Sequence, residues 1–428
     1  MQNRREFVKG SAVFAAMMAS APTILRAQGA SKVFKVGLVG CGGRGTGAAG
    51  NMIEAAKKMG HEVKIVAFAD LFEAKAKAAA QKFSGDEHKA FWGGTSYQKV
   101  LEEKEIDIVI LATPPAFRPR HFAAAIQAGK HVFAEKPIAV DGAGVRLFLE
   151  TAKKAAEKKL TVVAGTQRRH TAGYLKQAKA LKEGKISPVL GGAVYWNGTV
   201  PFVRKREPGQ SAAAYLCNNW VNWTEMNGDH IVEQHVHNID VASWFVGRYP
   251  ERAIGYGGRA RRVSGNQFDF FSVDFDYGQG VHIHSMCRQM AKTSGFVGEI
   301  LRTKDSIISG GGKVMMCDGT ALKLDGNFDE GNGQVVEHTH LLESILGKID
   351  YLNEGENVSL STASAIIGRI SAYTGQTVRM SDILTNKESP FYSMDCKPAA
   401  SDFESEKDVE LPPENVAPIP GAVDPRFV

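Results

Sequence analysis

The stretch Val33-Phe34-Lys35-Val36-Gly37-Leu38-Val39-Gly40-Cys41-Gly42-Gly43-Arg44-Gly45 decides the fold. A short apolar run leads into Gly-x-Gly-x-x-Gly, and small residues follow. This order predicts a strand over Val33 to Val39, a tight turn, and a helix opening at the glycines. Gly40 permits the turn, Gly42 lets backbone approach a pyrophosphate, and Gly45 allows close helix–strand packing. The N–H groups at the helix start then face the phosphates.

The segments that follow supply the context such a turn needs. A second apolar run, Glu62 to Ala69, ends at Asp70. A carboxylate there binds the adenosine ribose hydroxyls and repels a 2′-phosphate, which favours NAD over NADP. Asp70 also suits the N-cap of a helix starting at Leu71-Phe72-Glu73. Ile106 to Ala112 reads as a strand ending at Thr113-Pro114-Pro115, and the next helix carries Arg118 and His121. His131 to Ala134 ends in Glu135-Lys136-Pro137, and Leu160 to Ala164 ends in Gly165-Thr166-Gln167-Arg168-Arg169-His170. Strand–helix alternation predicts a parallel sheet with ligands at its carboxyl edge, where each of these clusters falls. The expected cofactor contacts are Gly40, Gly42, Gly43, Arg44, Gly45, Asp70, Thr113, Pro114, His121, Glu135, Lys136 and Gln167.

The glycine turn, Thr-Pro-Pro, Ala-Gly-Lys-His-Val and Glu-Lys-Pro, in this order, resemble the Gfo/Idh/MocA superfamily of glucose–fructose oxidoreductase and inositol 2-dehydrogenase. The resemblance runs from Val33 to about Leu384. It implies an N-terminal Rossmann domain over 31–167 and a C-terminal α+β domain over 168–385, with an open, largely antiparallel sheet covering the nicotinamide. It also implies that Lys136 sits beside the nicotinamide and a substrate hydroxyl, as a proton-relay or orienting group.

After Arg169 the alternation ends. Ala172 to Glu183 reads as a helix closing at Gly184, and Val189–Asn197, Ala253–Ala260, Phe268–Tyr277 and Val281–Arg288 read as strands. Between them lie Trp220, Trp223 and the run Gly228-Asp229-His230-Ile231-Val232-Glu233-Gln234-His235-Val236-His237-Asn238-Ile239-Asp240. On one helix His230, Glu233 and His237 share a face. His237-Asn238-Ile239-Asp240 is similar to the superfamily's histidine motif, and Glu233 stands where an aspartate is usual, so its longer side chain repositions the carboxylate. This resemblance assigns His237 as acid/base, tuned by Lys136 and Glu233; imidazole suits the task because it titrates near neutrality. His235 and His230 are read as structural histidines, with His230 also a substrate candidate. Arg168, Arg169, Trp220 and Trp223 complete the substrate set: aromatic faces pack on sugar C–H surfaces, and a carbohydrate is the expected partner.

A metal is not expected. The pairs His235/His237, His282/His284 and His338/His340 are each two apart. On a helix His235 and His237 fall on different faces, and on a strand His282 and His284 share one. The His230–Glu233–His237 face, which could in principle hold zinc, is already employed by a hydride mechanism. Five widely spaced cysteines have neither zinc nor redox spacing, and free buried thiols are expected. The net charge of +6 is modest, since Arg4, Arg5, Lys9 and Arg26 against Glu6 supply half of it, and no basic run suggests nucleic acid.

Residues 1–30 read as a twin-arginine export signal: Arg4-Arg5, a small apolar stretch from Gly10 to Leu25 broken by Ser20 and Pro22, then small residues for cleavage. The expectation is a periplasmic protein without a lasting membrane anchor, holding its NAD tightly. Residues 386–428, rich in proline and charge, read as an extended tail that wraps the body or meets a second subunit, and a homo-oligomer is expected. Three functions follow: an oxidoreductase acting on a secondary carbinol of a sugar or glycoside, a redox-neutral NAD-dependent glycosidase or lyase passing through a 3-keto sugar, or a sugar-binding scaffold. Lys136 and His237 argue for catalysis.

Overall fold

The Gly40 turn joins the first strand to the first helix of a six-stranded parallel sheet. The structure, a computed structural model, describes residues 31–421. The Arg4-Arg5 segment lies outside the described residues. The first sheet comprises β1 (Val33–Val39), β2 (Glu62–Asp70), β3 (Ala90–Trp92), β4 (Ile108–Leu111), β5 (His131–Ala134) and β6 (Val162–Ala164), in the order β3-β2-β1-β4-β5-β6. Helices α1 (Gly43–Lys58), α2 (Glu73–Phe83), α3 (Ser96–Glu102), α4 (Arg118–Gln127) and α5 (Gly142–Glu157) connect them. β4 and β6 are buried throughout, as a sheet covered on both faces requires. Gly40 has φ +97°, and a Cβ there would meet the Ala112 backbone at 2.6 Å; a Cβ on Gly45 would lie 1.8 Å from the Gly40 carbonyl oxygen. Both glycines are therefore dictated by contact as well as by conformation.

The chain continues through α6 (Ala172–Lys182), β7 (Gly191–Gly198), α7 (Ala212–Asn218), α8 (Thr224–Asn227), α9 (His230–Glu233) and α10 (Val236–Val246). Then come β8 (Arg252–Gly258), β9 (Phe270–Asp276), β10 (His282–Gln289), β11 (Phe296–Arg302), β12 (Ser306–Ser309) and β13 (Lys313–Met316). Last are α11 (Gly333–Ile345), α12 (Gly355–Thr374), β14 (Val378–Arg379) and α13 (Met380–Leu384). The second sheet has the order β13-β12-β11-β7-β10-β9-β8-β14. Its pairs are antiparallel except β7 with β10. The largely antiparallel second sheet is thus present, with four strands, β11 to β14, beyond those expected. One face is covered by α12, whose Gly368 lets the helix approach Phe275 closely, a Cβ there lying 2.8 Å from the ring. The other face is open, with Ile254, Tyr256, Met286 and Phe296 exposed. The late helix α11 returns to pack on α1.

Two departures from the sequence-based expectation have clear causes. His230 to His237 is two short helices rather than one. The His235 N–H bonds to the His230 carbonyl, five residues back, and this wide turn offsets the faces of α9 and α10. Trp223 does not face a substrate: it is fully buried, edge-on to Tyr215, in a small core with Phe117, Leu216 and Phe403. The C-terminal segment does wrap the body, burying Phe391, Met394, Cys396, Phe403 and Val409. Four of the five cysteines are buried, and all five are free. Among the described residues no helix is long and apolar enough to cross a membrane.

Truncating Trp223 removes the largest side chain of that small core. Trp223→Ala is expected to cost about 3–5 kcal/mol in chemical denaturation. A loss below about 1 kcal/mol contradicts the assignment of Trp223 to the core.

Candidate functional site

At the carboxyl edge of the parallel sheet lies a cleft of about 500 Å³. Gly40, Gly42, Gly43, Arg44, Asp70, Thr113, Pro114, His121, Glu135 and Lys136 line it, so the structure gathers ten of the twelve expected cofactor contacts. Gly45 packs under the loop, in contact with Gly40. Gln167 is not in the cleft; its carbonyl accepts the Thr171 hydroxyl at 2.9 Å, beneath α11. That correction follows from the turn after β6 closing on itself as a 3-10 helix over Gln167–His170.

The cleft suits a dinucleotide. Gly42 precedes α1 with no side-chain cap, and the first turn of α1 holds no acidic residue, leaving amide donors for an anion. A Cβ on Gly42 or Gly43 would meet open space, so the loop leaves room for a ligand to approach the backbone. Arg44 donates through Nε to Glu135 at 2.6 Å, while its buried Nη2 has no partner. The Asp70 carboxylate takes one backbone N–H at each oxygen, from Cys41 at 2.8 Å and Phe72 at 3.0 Å. Each oxygen keeps a lone pair for a ribose hydroxyl. His121 is sandwiched by Tyr97 (4.2 Å) and Phe117 (5.9 Å), and burial lowers its pKa to about 3. It is a neutral group, 3.3 Å from the Thr113 hydroxyl.

Lys136 ends the strand side of the cleft and Glu233 the opposite side. The ammonium donates to the Glu233 backbone carbonyl and, at 3.0 Å, to its carboxylate. Both side chains are largely buried. Beneath them is Arg118, whose guanidinium donates to the Pro137 carbonyl and whose pKa is depressed to about 10 by burial, against the pull of Glu135 and Glu233. His237 stacks on Trp196, with ring centroids 5.8 Å apart. Burial, then the charges of Lys136 and Arg168, hold its pKa well below the ordinary value. It is neutral at working pH, and no described group hydrogen-bonds either ring nitrogen. His237 lies outside the lining of the cleft itself.

The remaining candidates divide. Trp220 lines the cleft. Arg168 pairs with Glu299, which also accepts from Tyr174 and Asn238. Arg169 is a structural clamp: its guanidinium binds Asp240 through Nε and Nη2, at 2.9 and 2.8 Å. His230 is fixed by Asp229 at 2.8 Å and packs edge-on to Phe271, away from the cleft lining. Asp229 itself has φ 69°, ψ 163°, a conformation close to glycine-only that costs on the order of 1–3 kcal/mol. Its carboxylate offsets this by accepting from His230, Phe268 and Tyr373. Among the described residues no cluster of three or more His, Cys, Asp or Glu could hold a metal.

The cleft also has lining residues absent from the sequence-based set: Lys75 and Tyr97 from the nucleotide half, and Phe202, Cys217 and Phe403 from distant chain.

Residues 34–164 match the model of the GFO_IDH_MocA oxidoreductase family, with its NAD-binding Rossmann fold. The match is confined to the nucleotide-binding part of the chain. An uncharacterized oxidoreductase of Streptococcus pneumoniae is 26% identical over 246 residues, 57% of this chain and 59% of the relative. Inositol 2-dehydrogenase of Salmonella typhimurium is 26% identical over 186 residues, 43% of this chain and 47% of the relative. The chain thus spans about half the length of the curated relatives it matches. An aldose–aldose oxidoreductase from Caulobacter crescentus, solved with glycerol, superposes with TM-score 0.64 at 15% identity, over 81% of this chain and 99% of that one. That likeness is one of fold.

Gly42→Val separates a nucleotide site from an inert turn. Its backbone conformation accepts any residue, and the added side chain enters only open space. The variant is expected to melt with the wild type but to bind NAD at least about tenfold more weakly in calorimetry. Unchanged NAD binding contradicts the site.

Proposed function

We propose that this chain is an NAD-dependent oxidoreductase acting on a secondary carbinol of a carbohydrate. The observation that carries this reading is the meeting of Lys136, from the nucleotide half, with Glu233, from the second half, across the cleft that holds the glycine turn. Bound NAD supplies hydride acceptance. Glu233 holds the Lys136 ammonium by two of its protons, which leaves the third for a substrate hydroxyl. His237, neutral and without a protein partner, is the group able to take the hydroxyl proton. Trp196 fixes the plane of that ring, and Trp220 offers an aromatic face to a sugar. Asp70 supports NAD over NADP, because a 2′-phosphate would face its carboxylate.

The redox-neutral elimination needs a second base, and the nearby histidines are engaged: His235 bonds Ser285 at 2.8 Å and His230 is fixed by Asp229. Net oxidation or reduction is therefore the reading. The Arg4-Arg5 segment supports periplasmic export with the cofactor already loaded, and the exposed apolar belt of the second sheet supports a homo-oligomer.

The test is to incubate the protein with aldoses, inositols and glycosides and follow reduced nicotinamide and keto products together. Keto product in step with reduced cofactor is expected; glycoside cleavage without net reduction contradicts the reading. His237→Ala should lower kcat by about a hundred- to ten-thousand-fold while NAD stays bound. Near-wild-type turnover removes His237 from the chemistry.

A base with a depressed pKa remains deprotonated as the pH falls through the usual histidine range. The value of kcat/KM should therefore hold between about pH 7.5 and 5.5, with no acid limb near the unperturbed histidine pKa of about 6.5. A limb there that disappears in His237→Ala contradicts the neutral-base assignment.

A further inference from the structure

The nucleotide cleft has a wall supplied by the C-terminal segment, far outside the residues that form the nucleotide fold. Phe403 lines the cleft and is edge-on to Phe117, with centroids 4.9 Å apart. Its carbonyl oxygen presses on Gly94, where an added Cβ would lie 1.8 Å away. Gly94 adjoins Gly93, whose N–H bonds the Asp70 carbonyl at 3.1 Å, so this contact falls at the adenosine end.

The segment is anchored on both sides of the opening. On the nucleotide side, Glu404 accepts from Tyr97 at 3.1 Å and from Arg120 Nη2 at 2.6 Å, with Arg120 Nε as a second donor. This two-donor guanidinium–carboxylate contact fixes direction as well as distance. On the other side, Asp408 caps the start of α7, accepting from the Ala212 and Ala213 amides at 2.7 and 3.0 Å. Glu414 takes the Tyr215 and Ser264 hydroxyls at 2.9 and 3.0 Å. α7 itself brings Cys217 to the cleft. A strap fixed at Arg120 and at α7 therefore spans two lips of one cleft.

We infer that the C-terminal strap is part of the nucleotide site: Phe403 closes the adenosine end, and bound NAD leaves only when the strap lifts. This rests on the reading of the cleft as an NAD site and gives that reading a physical cause for a retained cofactor. Each new contact of this kind acts mainly on the dissociation rate. An enzyme that keeps one NAD through successive turnovers needs the substrate end accessible and the adenosine end shut, and the strap lies at the latter.

The test loads the full-length protein with radiolabelled NAD+ and chases it with excess unlabelled NAD+. Phe403→Ala removes the wall; Glu404→Gln loosens the anchor and keeps the ring. Phe391→Ala, buried at the root of the strap away from the cleft, reports general destabilisation. Phe403→Ala and Glu404→Gln are expected to release label at least about tenfold faster, and Phe391→Ala to lower the melting temperature with release unchanged. Wild-type release in the first two, or equal acceleration by Phe391→Ala, overturns the inference. A wild type that takes up no NAD+ overturns the cleft assignment itself, and the strap's role with it.

Discussion

The ion pair between Lys136 and Glu233 is the contact on which the arrangement turns. It joins the second residue after β5 to the last residue of α9, and so ties the edge of one sheet to the helical turn under the other. With both side chains largely buried, the pair is poorly hydrated, and removing one partner leaves a charge that water does not solvate well. The second bond, from Lys136 to the Glu233 backbone, fixes the turn as well as the side chain.

Other buried charges follow the same pattern. The turn after β6 sends Arg168 to Glu299 on β11 and Arg169 to Asp240 on α10, so one short turn clamps two elements of the second half. Arg44 binds Glu135 inside the first half. Glu337 and His338, from the returning helix α11, sit in this field: burial raises the acid and lowers the imidazole, so both tend to neutrality. Buried ion pairs contribute little net stability because desolvation cancels much of the attraction. Their yield here is geometry, since each has one partner on an element that must be placed relative to the cleft.

The parts legible in the sequence were those governed by local rules. β1 and β5 could be read to the residue, because buried parallel strands are continuous apolar runs. The glycine turn was legible because its steric demands are met by one residue type. The three-residue edge strand β3 and the two-residue β14 are too short to carry a period. The helix over His230 to His237 misled because a five-residue hydrogen bond changes the face without changing the composition. Trp223 looked like a sugar platform since its burial depends on Tyr215 and Phe403, one near and one 180 positions away. The tail's proline and charge content predicted extension, but its path over the cleft is set by Arg120, α7 and Gly94.

Crystals grown with NAD+ give the most direct test. The pyrophosphate is expected on the amides of Gly42 to Arg44, the ribose at Asp70, Phe403 over the adenosine, and the nicotinamide ring beside Lys136 and Glu233. A well-ordered NAD+ elsewhere, or one whose nicotinamide points away from Lys136, contradicts that placement.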